Sequence, residues 1–307
     1  MKKIIFYIAC VAIIFGFASC ANQEDTSPSY ADQNLFAPSD EDHSTMADLQ
    51  RDFYKETGAY LLFNDTLKKV KNGTDAYGNP IWNTEMVDVE YPFIGDVSSY
   101  TYTYKYIRNI DQQKKVADLI KEKLAKRLGK AVPYSFLIVD SITTWVNNNG
   151  VLEIAPEDSW SGTVPHPTQV LGTRCYVVST SGDTGYQDAN YFTTIFSHIV
   201  LNKLKRLNPD KLSKFYSYGE SYYLVDKTDL GLEYGVNDSI ARSRGFWKDH
   251  NYYYLAVKDT DLENFSNAVC TYSESQVKEM MAAFPIVIER FELLRNVIKS
   301  MGIKLDD

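Results

Sequence analysis

Histidine and cysteine are scarce in this chain, four of each among 307 residues. The cysteines show no C-x-x-C and no Cys/His spacing of the kind a structural zinc site needs. There is no Gly-x-Ser-x-Gly, no glycine-rich phosphate loop and no internal repeat. A nucleophile elbow, a nucleotide cradle and a solenoid therefore have no support. Ser, His and Asp occur at no recognisable catalytic spacing. Basic charge is short as well: 32 Lys and Arg stand against 40 Asp and Glu, a net of −8 with no offsetting basic patch. That balance argues against a nucleic-acid partner. The apolar run Ile4–Phe17 is too short for a comfortable membrane span. The acidic side chains leave a carboxylate-pair glycosidase open, but nothing in their spacing argues for one.

What the chain does have is an ordinary globular balance, 44% hydrophobic and 23% charged, which is enough to build a sizeable core. It also has 23 tyrosines. Tyr packs its ring and keeps a polar tip, which suits half-buried sheets and extracellular binding surfaces. The first residues read as a targeting segment. Lys2 and Lys3 give a basic start, Ile4–Phe17 the apolar stretch, and Phe17-Ala18-Ser19-Cys20 resembles a lipobox. On that reading residues 1–19 are a lipoprotein signal peptide, and Cys20 carries acyl chains that hold the protein on a membrane. Loss of 1–19 removes Lys2 and Lys3 and no acid, taking the formal charge from −8 to −10. Gln23-Glu24-Asp25 resembles the surface-export signals of Bacteroidetes lipoproteins. Residues 20–44, rich in Asn, Gln, Ser, Pro and acids, bury too little apolar surface to offset their ordering entropy and read as a disordered tether. Cys175 and Cys270 remain, both in apolar company. An exported chain permits a bridge between them, and two buried free thiols are the alternative.

Residues 45–307 read as one domain with helices and strands mixed. Met46, Leu49, Phe53 and Tyr54 fall at helical spacing in 44–57, and Gly58 is placed to stop that helix. Tyr60–Phe63 reads as a short strand, and Asn72-Gly73, Tyr77-Gly78 and Asn79-Pro80 read as turns. In 98–106 Tyr100, Tyr102, Tyr104 and Tyr106 alternate with Thr101, Thr103 and Lys105, a strand that packs its Tyr face inward or offers it as a stacking platform. A helix over 109–128 ends at Gly129, and strands follow at 133–139 and 174–179 with loop between. A short Pro-led helix is expected over 209–218, a helical turn over 238–244 and a helix over 259–272. Ser273 and Gln276 form a capping box for a long last helix to about Met301, kinked at Pro285.

Between the last two strands and the C-terminal helices lies Asp188–Asn208, DANYFTTIFSHIVLNKLKRLN, which reads as one amphipathic helix. Together with the lipobox, the Tyr-Leu-Leu-Phe stretch and the Lys-rich helix before Pro133, it resembles a family of Bacteroidetes outer-membrane lipoproteins described as substrate-import-associated zinc metallohydrolases, or zinc-binding metallopeptidases. The resemblance implies an α+β, zincin-like (gluzincin-type) domain: a small mixed sheet with several helices, one of them a central metal-site helix. In the family that helix carries H-E-x-x-H, since two His four residues apart share one helix face and the Glu polarises the metal-bound water. The matching residues here are Thr194, Ile195, Phe196, Ser197 and His198. Thr194 stands at the first ligand position and Ile195, which takes no proton, at the position of the base. Gly245-Phe246 matches a family Gly-Phe step, and Glu263-Asn264-Phe265-Ser266-Asn267 a later acidic helix, placing Glu263 at the third ligand.

The resemblance thus implies a degenerate site with no catalytic residues and no expected cofactor. The protein would be a non-catalytic accessory of outer-membrane nutrient uptake, lipid-anchored at the cell surface. Its implied partners are a TonB-dependent transporter and a glycan-binding lipoprotein, with a peptide or glycan ligand. The alternative is an active zinc-dependent hydrolase using His198, His250 and Glu263. A purely structural transporter subunit is a further alternative.

Overall fold

Ser135–Val139 is buried at every residue, and Phe136, Leu137, Ile138 and Val139 are apolar without alternation. Such a run suits a strand covered on both faces. Complete burial of each of these side chains contributes about 1.5–3 kcal/mol. In the computed structural model, which describes residues 34–87, 100–148, 150–155, 168–172, 174–180, 190–249 and 251–305, this run begins the central strand of a mixed α+β fold. The signal peptide 1–19, Cys20, His166 and His250 lie outside the described residues.

The strands are β1 (Tyr60–Leu62), β2 (Thr66–Thr74), β3 (Pro80–Met86), β4 (Tyr100–Tyr106), β5 (Ser135–Asn148), β6 (Val151–Ile154), β7 (Gln169–Leu171) and β8 (Cys175–Ser179). The start of β5 lies between parallel neighbours, with Leu61 opposite Phe136 and Ile138 opposite Val178. Antiparallel β7 closes that side of the sheet, Val170 opposite Val177. The second half of β5 changes partners and pairs antiparallel with β4 and β6. Tyr102, Tyr104 and Tyr106 are half-buried on β4, while Thr101, Thr103 and Lys105 are exposed, so the Tyr face packs inward. β2 and β3 form a separate hairpin, exposed along nearly its whole length. Asn72-Gly73, expected as a turn, lies inside β2 at a register shift, and the reversal comes at Asp75–Gly78. β2, β3, β6 and β7 are strands that the sequence did not signal: β2 and β3 lie among turn residues, and the largely apolar Val151-Leu152-Glu153-Ile154 and Gln169-Val170-Leu171 are too short to carry a period.

The helices cover one face of the sheet. They are α1 (Thr45–Thr57), α2 (Ile110–Ile120, continued by a π turn Lys121–Ala125 and by Lys126–Leu128), α3 (Tyr191–Lys205), α4 (Ser213–Ser217), α5 (Asp238–Ser243), α6 (Lys258–Thr271), α7 (Glu274–Met280) and α8 (Pro285–Ser300). Among the described residues no helix is long and apolar enough to cross a membrane. Phe136, Ile138, Tyr176 and Val178 meet residues of α1, α2, α3, α6 and α8 in the main core. Leu137, Val139, Cys175 and Val177 form a smaller core on the other face with Leu62, Val87 and Phe36. Phe36 is 4% exposed, so the compact unit Phe36–Asp307 takes in 36–44, which the composition assigns to the tether. Tyr54 lies on the outer side of α1, stacked on Tyr60 at 4.4 Å. The long last helix is two helices, not one kinked helix. Phe284 before Pro285 is pushed out of the helical region (φ −129, ψ 70), so Pro285 starts a new helix. Cys175 and Cys270 are both buried free thiols.

Two buried ion pairs organise the segment from Phe215 onward. Arg290 of α8 is fully buried, and all five of its N–H groups are used. They donate to the carbonyls of Phe215 (3.2 Å) and Gly245 (2.8 Å), to both carboxylate oxygens of Asp261 (3.4 and 2.5 Å) and to the Tyr223 hydroxyl (3.2 Å). Its guanidinium also lies over the rings of Phe215 and Phe265, 4.3 and 4.7 Å from their centroids. Gly245 has φ +89, and a Cβ there would stand 2.6 Å from a methyl of Ile286. The second pair is Lys227 with Asp249, 2.7 Å apart. Its ammonium also donates to the carbonyls of Gly235 (2.5 Å) and Asn251 (2.6 Å).

Removing one partner of a buried pair leaves an uncompensated charge, which costs about 3–5 kcal/mol. Asp261→Ala should lose stability of that order in urea unfolding, and the charge-free Asp261→Leu/Arg290→Met pair should recover much of it. A loss below about 0.5 kcal/mol in Asp261→Ala, the scale of an ordinary surface change, would contradict the assignment.

Candidate functional site

Helix α3, on which the resemblance sets Thr194, Ile195 and His198 as site positions, is buried on most of its circumference. Ile195, Phe196, Ser197, Ile199, Val200, Leu201 and Leu204 of α3 are all buried. What faces out is a stripe at four-residue spacing: Thr194, His198, Asn202 and Arg206. Thr194 is exposed, and its hydroxyl donates to the carbonyl of Asn190 one turn back, at 3.1 Å. Ile195 is 1% exposed within the main core. Ile195 therefore occupies a packing position.

His198 lies at the rim between α3 and β7. Its Nδ1 meets the amide nitrogen of Gln169, the first residue of β7. The other end of that amide is fixed, because Oε1 of Gln169 accepts from the Tyr176 hydroxyl at 2.5 Å. With the amide in this orientation Nδ1 of His198 accepts, and a neutral imidazole carries its proton on Nε2. A histidine that binds metal through Nε2 takes the opposite tautomer, with Nδ1–H donating to an oxygen. Gln169 thus occupies Nδ1 of His198, and binding of a metal through Nε2 requires that its amide be turned over. Neither Gln169 nor Tyr176 was singled out from sequence. Tyr176 reads as a strand residue, and Gln169 sits in a stretch that reads as loop.

Glu263 is exposed on α6, which packs beside α3. It is near enough to His198 to raise its proton affinity, but partial desolvation outweighs that effect and His198 titrates below its ordinary 6.5. The rim thus brings His198 and Glu263 near one another. Thr194 shares their helix face, and His250 falls outside the described residues. Among the described residues no three of His, Cys, Asp and Glu gather closely enough to hold a metal ion.

Neighbouring groups do not supply the missing chemistry. Burial raises the Cys270 thiol to about 12, against a hydrogen bond to Ser197 and the charge of Arg127, so it is not a nucleophile at neutral pH. The Gly245-Phe246 step belongs to the Arg290 cluster, with Phe246 1% exposed. A separate exposed surface carries Tyr234, Tyr252 and Tyr253, whose ring centroids lie 5.1 to 5.8 Å apart.

Because its folded-state pKa lies below 6.5, His198 favours the native state while neutral. That stability is present above 6.5 and is lost as pH falls through the lowered value. In an NMR titration the imidazole should protonate below 6.5, and lower still in Glu263→Gln. The stability difference between wild type and His198→Gln should shrink with acid over the same range. An imidazole titrating at or above 6.5 would contradict this environment.

No family model, no curated protein and no solved structure matches this chain.

Proposed function

We propose that the chain is a pseudo-metallopeptidase: a zincin-like lipoprotein, anchored through Cys20 at the cell surface, that serves an outer-membrane nutrient-uptake system without catalysis of its own. One observation carries the reading. On α3 the hydroxyl of Thr194 is turned to its own backbone, Ile195 is in the core, and Nδ1 of His198 is occupied by the amide of Gln169. A catalytic zinc needs three protein ligands and an open position, and its water needs a base. The zincin-like assignment rests on the resemblance of the sequence. It is supported by the order of parts, in which a helix following β8 carries His198 and a later helix beside it carries Glu263.

The role left to such a cleft is binding. β7 is the terminal strand of its sheet among the described residues and lies beside His198. An open strand edge takes an extended chain through main-chain hydrogen bonds. The exposed rings of Tyr234, Tyr252 and Tyr253 are a second place for a peptide or glycan to rest. A TonB-dependent transporter and a glycan-binding lipoprotein are the partners this reading requires. The competing reading, a live zinc hydrolase of His198, Glu263 and His250, is favoured by the electrostatic contact between Glu263 and His198.

Metal analysis of the purified full chain decides between them. The pseudoenzyme should carry no stoichiometric zinc, and His198→Ala should leave its metal content unchanged. One zinc per chain, lost in His198→Ala or Glu263→Gln, overturns the reading. In cells Cys20→Ser should move the protein from the membrane to the soluble fraction. Unchanged fractionation would remove the lipid anchor, and recovery of the native protein without transporter subunits would count against the uptake role.

A further inference from the structure

The exposed stripe of α3 does not end at His198. One turn further it reaches Asn202, and a second turn further Arg206, about 12 Å from His198 at 1.5 Å per residue. There the groove between α3 and β7 opens into a cavity of about 150 Å³. Leu171 of β7 forms one side, and Asn202, Lys203 and Arg206 form the other. Arg174 lies at the edge, its guanidinium 5.1 Å from the ring centroid of Phe36. Two tyrosines complete the lining: Tyr176, buried, and Tyr134, which leaves 48% of its surface open.

The charge here is out of keeping with the chain. In a protein of net charge −8, three cations line one small cavity. Among the described residues neither Lys203 nor Arg206 meets a carboxylate. Lys203 is half-buried, and desolvation together with the charge of Arg206 lowers its proton affinity. Cations do favour a helix C-terminus, and Lys203 and Lys205 stand in the last turn of α3. That end carries only about half a negative charge, which does not balance Lys203 and Arg206 together, and Lys205 already stands there outside the cavity. The dipole explains why cations are tolerated at this helix end, but not why they gather around a hollow with aromatic walls.

We propose that this pocket binds an oxyanion, carboxylate or phosphate, borne on an apolar or ring-shaped body. The planar fork of Arg206 and the ammonium of Lys203 suit two oxygens of such a group, and the amide of Asn202 adds a donor. Tyr134, open over 48% of its surface, offers a ring to the body behind it. The site is independent of the pseudoenzyme reading, because binding here involves no metal and is measured without one.

Calorimetric titration of the full chain with four probes tests it. N-acetyl-L-phenylalanine carries a carboxylate on a body that bears a phenyl ring, and phenyl phosphate carries a phosphate directly on the ring. N-acetyl-L-phenylalaninamide keeps the body without the charge, and inorganic phosphate keeps the charge without the body. One or both ring-borne anions should bind saturably, at least about tenfold tighter than the amide and than inorganic phosphate, a difference the loss of one charge-assisted contact readily produces. Whichever ring-borne anion binds better names the class. Lys203→Gln/Arg206→Gln, with melting temperature unchanged, should weaken binding at least about tenfold. Asn202→Asp, which sets a carboxylate in the pocket, should do the same. The proposal is overturned if neither ring-borne anion binds at millimolar concentration, if the amide or inorganic phosphate binds as well, or if folded variants bind like wild type.

Discussion

The guanidinium of Arg290 is the constraint on which the C-terminal half depends. It gathers Phe215, Tyr223, Gly245 and Asp261, groups far apart in the chain, onto one buried cation. A buried charge is tolerated only when its donors are met and its partner is close, and here every N–H has an acceptor. The requirement reaches the site through α6. Asp261 faces inward to Arg290, and Glu263, two residues on, faces out toward His198. The position of Glu263 at the rim is thus a consequence of how Asp261 is held.

The same cluster accounts for the Gly245-Phe246 step. Gly245 is needed for a positive φ and for close approach to Ile286, and its carbonyl accepts from Arg290. Phe246 fills the space beside the guanidinium, 5.2 Å from its ring centroid. Both residues have a complete physical explanation in packing, so their presence says nothing about catalysis.

Legibility followed the strength of the local pattern. The amphipathic stripes of α2 and α6 and the alternation in β4 each carried a period that only one element satisfies, and the start of β5 was an unbroken apolar run of strand length. β2, β3, β6 and β7 were hidden because they lie among turn residues or are too short to show a period, and pairing with a neighbour makes them strands. Asn147 and Asn148 fall where loop is expected after 139, yet they extend β5, since β6 returns directly beside them. The break at Pro285 was visible, but whether proline kinks a helix or starts one depends on the residue before it, here an extended Phe284. At the site, sequence pointed to Thr194, Ile195, His198 and Glu263. Gln169 and Tyr176 came only from the fold, because the tautomer of a histidine is set by neighbours that no linear spacing brings together.

The pair of Lys227 and Asp249 has a further consequence. Two backbone carbonyls and a carboxylate converge on one point, an oxygen set of the kind a loop uses to seize calcium. The positive charge at that point is the tip of a side chain. It is attached by covalent bonds, so neither dilution nor a chelator removes it. This stretch carries its own counter-charge, so a lysine does here what a bound cation does elsewhere, holding the oxygens together from within the chain.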